Sequence, residues 1–184
     1  KPGIGWHSLA QQCRCRRRVV ETVQQAVPGS TVLAIRADAA DSAQVRDAVA
    51  QMPGNWGGPQ VLVCNAGIAQ QKLFTDLTDE DWRRMMSVDL DGVFYACRAA
   101  LPGMIREKYG RILCVSSMWG QTGGSCEVHT PPPKPGSVGL CRASAKEEGP
   151  SGITVNSRCP RRYRHRHDGF LHRGRPRRPG RGNS

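Results

Sequence analysis

Apolar residues recur along this chain in alternating short runs and helical stripes. Val19 to Val27 has the spacing of the end of a helix, closed by Pro28-Gly29. Thr31 to Ile35 is a short β-rich run leading into Arg36-Ala37-Asp38. Asp41-Ser42 caps an expected helix to about Met52, with Val45, Ala48 and Val49 on one face. Gly54 to Pro59 reads as a loop. Gln60 to Cys64 is continuously apolar after its first residue, the pattern of a strand covered on both faces. Thr78 followed by Asp79, Glu80 and Asp81 opens a long helix. Its stripe of Trp82, Met85, Met86, Leu90, Val93, Phe94 and Cys97 predicts a core face. That helix is expected to run towards Lys108, with a bend at Pro102 and a stop at Gly110. Arg111 to Ser117 predicts another buried strand, 120–124 a glycine-rich loop, Val138 to Glu148 a helix and Ile153 to Asn156 a last strand. Strands alternating with helices predict an α/β fold with a doubly wound parallel sheet. Such sheets bind ligands at the carboxyl ends of their strands. Asp38, Asn65-Ala66-Gly67 and Ser116-Ser117 all fall there.

Charge divides the chain differently. The net charge is +12 over 184 residues. Residues 1–18 hold five basic residues and no acid, and 157–184 hold ten arginines against Asp168 alone. The stretch between them is slightly acidic, at −2. Two basic ends therefore flank an ordinary globular middle, and function is sought in the middle. We divide the chain into a domain over 1–156 and an Arg-rich disordered tail over 157–184. The tail supports a second reading, a noncatalytic protein binding nucleic acid or other anions nonspecifically through salt-sensitive contacts. Aromatic residues there, Tyr163 and Phe170, are not interleaved in any reading motif. No apolar run approaches the ~20 residues of a membrane span. No secretory leader is visible, and the missing initial Met suggests an absent N-terminus.

Eight cysteines are present, with no Cys-x-x-Cys pair. They read as reduced thiols of a cytoplasmic protein, with neither a disulfide framework nor a metal site expected.

The ordered motifs resemble the short-chain dehydrogenase/reductase family. Asn65-Ala66-Gly67 after a buried strand is similar to the family motif supporting sheet and cofactor. Thr78 to Trp82 and Val88 to Phe94 resemble the family's long helix, Gly110 to Ser117 the strand delivering a catalytic serine, and Gly149 to Asn156 the late strand. The likeness covers 19–129 and 137–156, and its wording is nearest to bacterial 3-oxoacyl-[acyl-carrier-protein] reductases. It implies a Rossmann-type sheet and hydride transfer between a nicotinamide and a carbonyl carbon. The acceptor would be an acyl-carrier-protein-linked or other small carbonyl substrate. NADP(H) is the implied cofactor, with NAD(H) the alternative, and homotetramers paired through long helices are the implied assembly.

The resemblance assigns the serine to Ser117, which would hydrogen-bond the substrate oxygen. The family's tyrosine falls on Thr130, and the lysine four residues later on Lys134. The helix asparagine falls on Asp89, and Asp38 fits an acid contacting the adenine ring. Asn65, Ala66 and Gly67 would support the cofactor, Lys134 its ribose, and Gly3-Ile4-Gly5 is what remains of the phosphate loop. The strand before those glycines is missing from the pattern. Threonine is an aliphatic alcohol, whereas a phenol titrates near about 10 and is tuned lower by a nearby lysine. Pro131, Pro132, Pro133 and Pro135 surround Lys134. Each interior proline costs a helix about 3 kcal/mol, which predicts an extended loop there. The chain is expected to be impaired.

A shift of reading frame accounts for the departures. CAT TAC TCC GCC TCC AAA GCC GGC encodes His-Tyr-Ser-Ala-Ser-Lys-Ala-Gly, and losing one T yields His-Thr-Pro-Pro-Pro-Lys-Pro, residues 129–135. Residues 160–170 and the Arg-rich run ending at Arg18 have equivalent explanations. Arginine excess then follows from a GC-rich gene read out of frame.

Overall fold

The computed structural model describes residues 5–9, 13–52, 58–70, 72–117 and 133–159. Strand β1 (Gly5–Leu9) leads to helix α1 (Cys13–Ala26) and β2 (Thr31–Ile35). Helix α2 (Ser42–Ala50) and β3 (Val61–Cys64) follow. Next come α3 (Asp79–Met86), a π turn (Ser87–Asp91) and α4 (Gly92–Glu107). The described order closes with β4 (Gly110–Val115), α5 (Pro133–Glu148) and β5 (Ile153–Arg158).

All ladders are parallel, as the alternation of strands and helices requires. They form two pieces, β1-β2 and β3-β4-β5. In the smaller piece Gly5–Leu9, which begins at the last of the expected glycines and does not precede them, pairs residue for residue with Thr31–Ile35. In the larger piece Cys64 stands opposite Cys114, and Val115 opposite Arg158. Ser116 continues the pairing by donating its N–H to the Arg158 carbonyl at 2.8 Å.

The core sits between the larger sheet and helices α4 and α5. Ile112, Ile153, Met104, Val93, Ala100 and the thiols of Cys64, Cys97, Cys114 and Cys141 fill it. A smaller cluster of Ile35, Ala37 and Ala48 lies between β2 and α2. Gly110 gives Met104 its space, since a Cβ there would lie 2.5 Å from the Met104 Sδ.

Four expectations need correction. The apolar run at β3 is not covered on both faces, for Val61 and Val63 are 59% and 53% exposed. The β3 strand is an edge of its sheet, and only the Leu62 and Cys64 side faces the core. Trp82 and Phe94 are exposed, not core. Trp82 shares α3 with the buried Met85, and Phe94 adjoins the buried Val93 at the start of α4, so each stands on the solvent side of a helix whose inner position is taken by that neighbour. The long helix ends at Lys108, in the left-handed conformation at φ 49°, with the Tyr109 N–H returning to the Met104 carbonyl. Gly110 instead opens β4. Finally, the proline run does not force an extended loop at Lys134, because α5 already begins at Pro133. A helix's first-turn N–H groups have no intrahelical acceptor, so Pro133 and Pro135 forfeit little there.

Candidate active site

Parallel register brings several candidate residues to one edge. Asn65 follows β3 directly, and Ser116 and Ser117 follow β4, on neighbouring strands. Ser116 is buried and Ser117 half-buried, whereas Asn65, Ala66 and Gly67 are exposed.

Asp89 is the centre of the arrangement. It lies fully buried in the π turn, and its carboxylate Oδ1 accepts the Ile68 N–H at 2.8 Å. That bond fixes the loop leaving Asn65-Ala66-Gly67 against the start of α4. One turn on, Gly92 touches the loop after β2, since a Cβ on it would stand 2.9 Å from the Ala39 carbonyl oxygen. On the third side Leu90 packs against Gly136, whose Cβ position lies 3.3 Å from Leu90 Cδ1. Gly136 belongs to the first turns of α5, the helix that carries Lys134 in its backbone. The π turn thus gathers the loops after β2 and β3 and the beginning of α5. Short π segments recur where a helix serves a site.

Asp38 lies in the loop after β2 and is engaged locally. Its carboxylate accepts the Ala40 N–H at 3.0 Å, and its own N–H donates to Gln44 Oε1 at 3.0 Å. The adjoining Asp41 caps α2 by accepting the N–H groups of Ala43 and Gln44. Those bonds, Gln44 first, hold the Asp41 carboxyl below its ordinary value. The Asp38 geometry therefore serves the turn as well as any ligand.

Lys72 and Asp81 form an ion pair at 2.6 Å beside this edge. Asp81 also accepts the Thr78 N–H and hydroxyl and the Gln70 amide, completing a reciprocal cap on α3. The Lys72 ammonium, followed by the Thr78 N–H, holds the Asp81 carboxyl well below its usual range. The cap was readable from Thr78 and its acids, but the tie to Lys72 was not.

Gly5 opens β1 and does not stand between a strand end and a helix N-terminus. The segment joining β1 to α1, Ala10-Gln11-Gln12, has no glycine. Gly3, Ile4 and Thr130 lie outside the described residues, as does the Arg-rich tail beyond Cys159.

A parallel sheet flanked by helices defines an α/β protein of the Rossmann-type, doubly wound class. Residues 5–165 match the family model described as short chain dehydrogenase, and the chain belongs to that family. It is 32% identical over 142 residues to the 3-oxoacyl-[acyl-carrier-protein] reductase FabG of Staphylococcus aureus (strain Mu50 / ATCC 700699), covering 77% of this chain and 57% of that one. Against the D-beta-hydroxybutyrate dehydrogenase of Rhizobium meliloti (strain 1021) it is 33% identical, covering 77% of this chain and 56% of the relative. The acetoacetyl-CoA reductase of the same organism is 37% identical over 62% of this chain and 47% of its own length. The chain spans about half the length of these relatives. Among the described residues no helix is long and apolar enough to cross a membrane.

Proposed function

We propose that this chain descends from an NADPH-dependent reductase of 3-oxoacyl thioesters, such as those carried on acyl-carrier protein, and that its proton-transfer step is disabled. The observation that carries this reading is the shared strand edge. Ser117 follows β4 and Asn65 follows the neighbouring β3, while the Asp89 turn holds the start of α5 near that edge. The named relatives support the substrate class. A 3-oxoacyl group, an acetoacetyl group and a β-hydroxybutyrate all have their reactive oxygen on the third carbon.

In this reading the Ser117 hydroxyl donates a hydrogen bond to the substrate carbonyl oxygen, polarising the carbon for reduction. A nicotinamide supplies the hydride in this class of reaction. The oxygen then requires a proton, and the alcohol of Thr130 is too weak an acid to give one. Lys134 has no phenol to tune. NADPH in preference to NADH rests on the similarity to acyl-chain reductases. Self-association through α4 fits the exposed Phe94 and Ile105 on that helix, and molecular mass in solution tests it.

Oxidation of NADPH in the presence of an acetoacetyl thioester tests the reading. The chain as it stands is expected to show none. Changing Thr130→Tyr, Pro131→Ser, Pro132→Ala, Pro133→Ser and Pro135→Ala together is expected to produce measurable turnover. Equal rates in the two chains, or none in either, would contradict it.

The three unusual stretches are attributed to changes of reading frame. The coding DNA decides this. An alternative frame giving His-Tyr-Ser-Ala-Ser-Lys-Ala-Gly across 129–136 supports the attribution, and the absence of any family-like product in every frame rules it out.

A further inference from the structure

Four buried cysteines meet beneath the strand edge, and the proposed reduction uses none of them. Cys64 ends β3 and Cys114 is its register partner on β4. Cys97 comes from α4 and Cys141 from α5. All four are free thiols, exposed by 9% or less. The sulfurs of Cys64, Cys97 and Cys114 lie within 4.8 Å of one another. Their neighbours in the core are Val93, Ala100, Ile112 and Ile153.

A buried cysteine is ordinarily a small apolar packing residue. Three from different elements with mutually accessible sulfurs need a further account. An ion about 2.3 Å from each of three sulfurs places them about 4.0 Å apart in a trigonal plane, within the spread observed. We propose that Cys64, Cys97 and Cys114 form a binding site for one soft divalent d10 ion, zinc or its heavier congener cadmium, with Cys141 packed against Cys114.

Binding exchanges three S–H bonds for three sulfur–metal bonds and releases three protons to solvent, with no change of oxidation state. Three thiolates on a divalent ion leave a single negative charge in the apolar core, whereas a monovalent ion would leave two. Since buried charge is costly, the divalent ion is favoured. The ion would clamp β3, β4 and α4 together directly below Asn65 and Ser116.

The test uses the full reduced chain, titrated with zinc and cadmium against a competing chelator. Bound ions are counted by native mass spectrometry, and thiolate-to-cadmium charge transfer is followed in the ultraviolet. A variant with Cys13→Ser, Cys15→Ser, Cys126→Ser and Cys159→Ser removes every cysteine outside the cluster. It is expected to retain one ion per chain, the charge-transfer band and a higher melting temperature with metal. Cys97→Ala and Cys114→Ala are each expected to weaken binding by at least about tenfold, the loss seen even for outer-shell partners of a metal. The proposal is overturned if the four-serine variant binds no ion at one equivalent, or if Cys97→Ala binds as tightly as its parent. Should either alanine variant fail to fold, the four-serine variant decides alone.

Discussion

The two pieces of the sheet differ in how they are held. The β3-β4-β5 piece is closed by α4 and α5 over a continuous core of Met104, Ile112, Ile153 and the thiols. The β1-β2 piece has Ile35 and Ala37 against Ala48 of α2, and Leu33 remains 36% exposed. Stability from burial scales with the apolar area removed from water, at roughly 25 cal/mol per Å². The larger piece is therefore the rigid one, and it carries Asn65 and Ser117. The smaller carries Asp38 and reaches the site through the contact of Ala39 with Gly92. A site divided this way draws its precision from one side and its mobility from the other.

The largest effects should separate the two pieces. Ile112→Ala leaves a cavity in the closed core and is expected to cost about 2–5 kcal/mol in urea unfolding, with Ile35→Ala nearer about 2 kcal/mol because its thinner surroundings can collapse. Equal costs would remove the distinction. Gly92→Ala attacks the join. Its Cβ would meet a backbone oxygen at 2.9 Å, so one piece must shift, for about 1–3 kcal/mol. Asp89→Ala removes the acceptor of the Ile68 N–H and is expected to cost about 1–3 kcal/mol. Asp89→Asn keeps an acceptor oxygen and is expected to lose less, which denaturant titration of the pair will show.

The smallest effect is one of pH. Asp81 is held below its ordinary value of 3.8, first by Lys72. A lowered carboxylate stabilises the fold fully above its unfolded pKa, and that contribution disappears as pH falls below it. Acid titration of helicity should thus show an added loss below pH 3.8. Lys72→Met is expected to shrink that loss, and an unchanged profile would exclude the pair as its source.

Much of this was legible because it is local. Thr78 with its acids and Asp41 before a periodic helix announce caps by spacing alone. The strand ends at Asn65 and Ser116 followed from apolar runs and punctuation. What escaped is nonlocal. Asp89 acquires its role from Ile68, 21 residues earlier. The sulfurs of Cys64, Cys97 and Cys114 meet only because strand register and helix packing bring three elements together. Spacing rules for metal sites look for close pairs and pass over them. Val61 and Val63 misled because an apolar run shows what a strand would bury and cannot show whether a neighbour covers it. Pro133 and Pro135 misled for another reason. Their cost depends on position within the helix, and the first turn tolerates what the interior rejects.

Amide hydrogen exchange of the intact chain tests the division most directly. Amides of β4, especially Ile112 and Cys114, are predicted to exchange only through global opening, while those of β2 exchange faster through local opening of the smaller piece. Equal or greater protection in β2 would contradict the claim that the β3-β4-β5 piece is the rigid scaffold of the site.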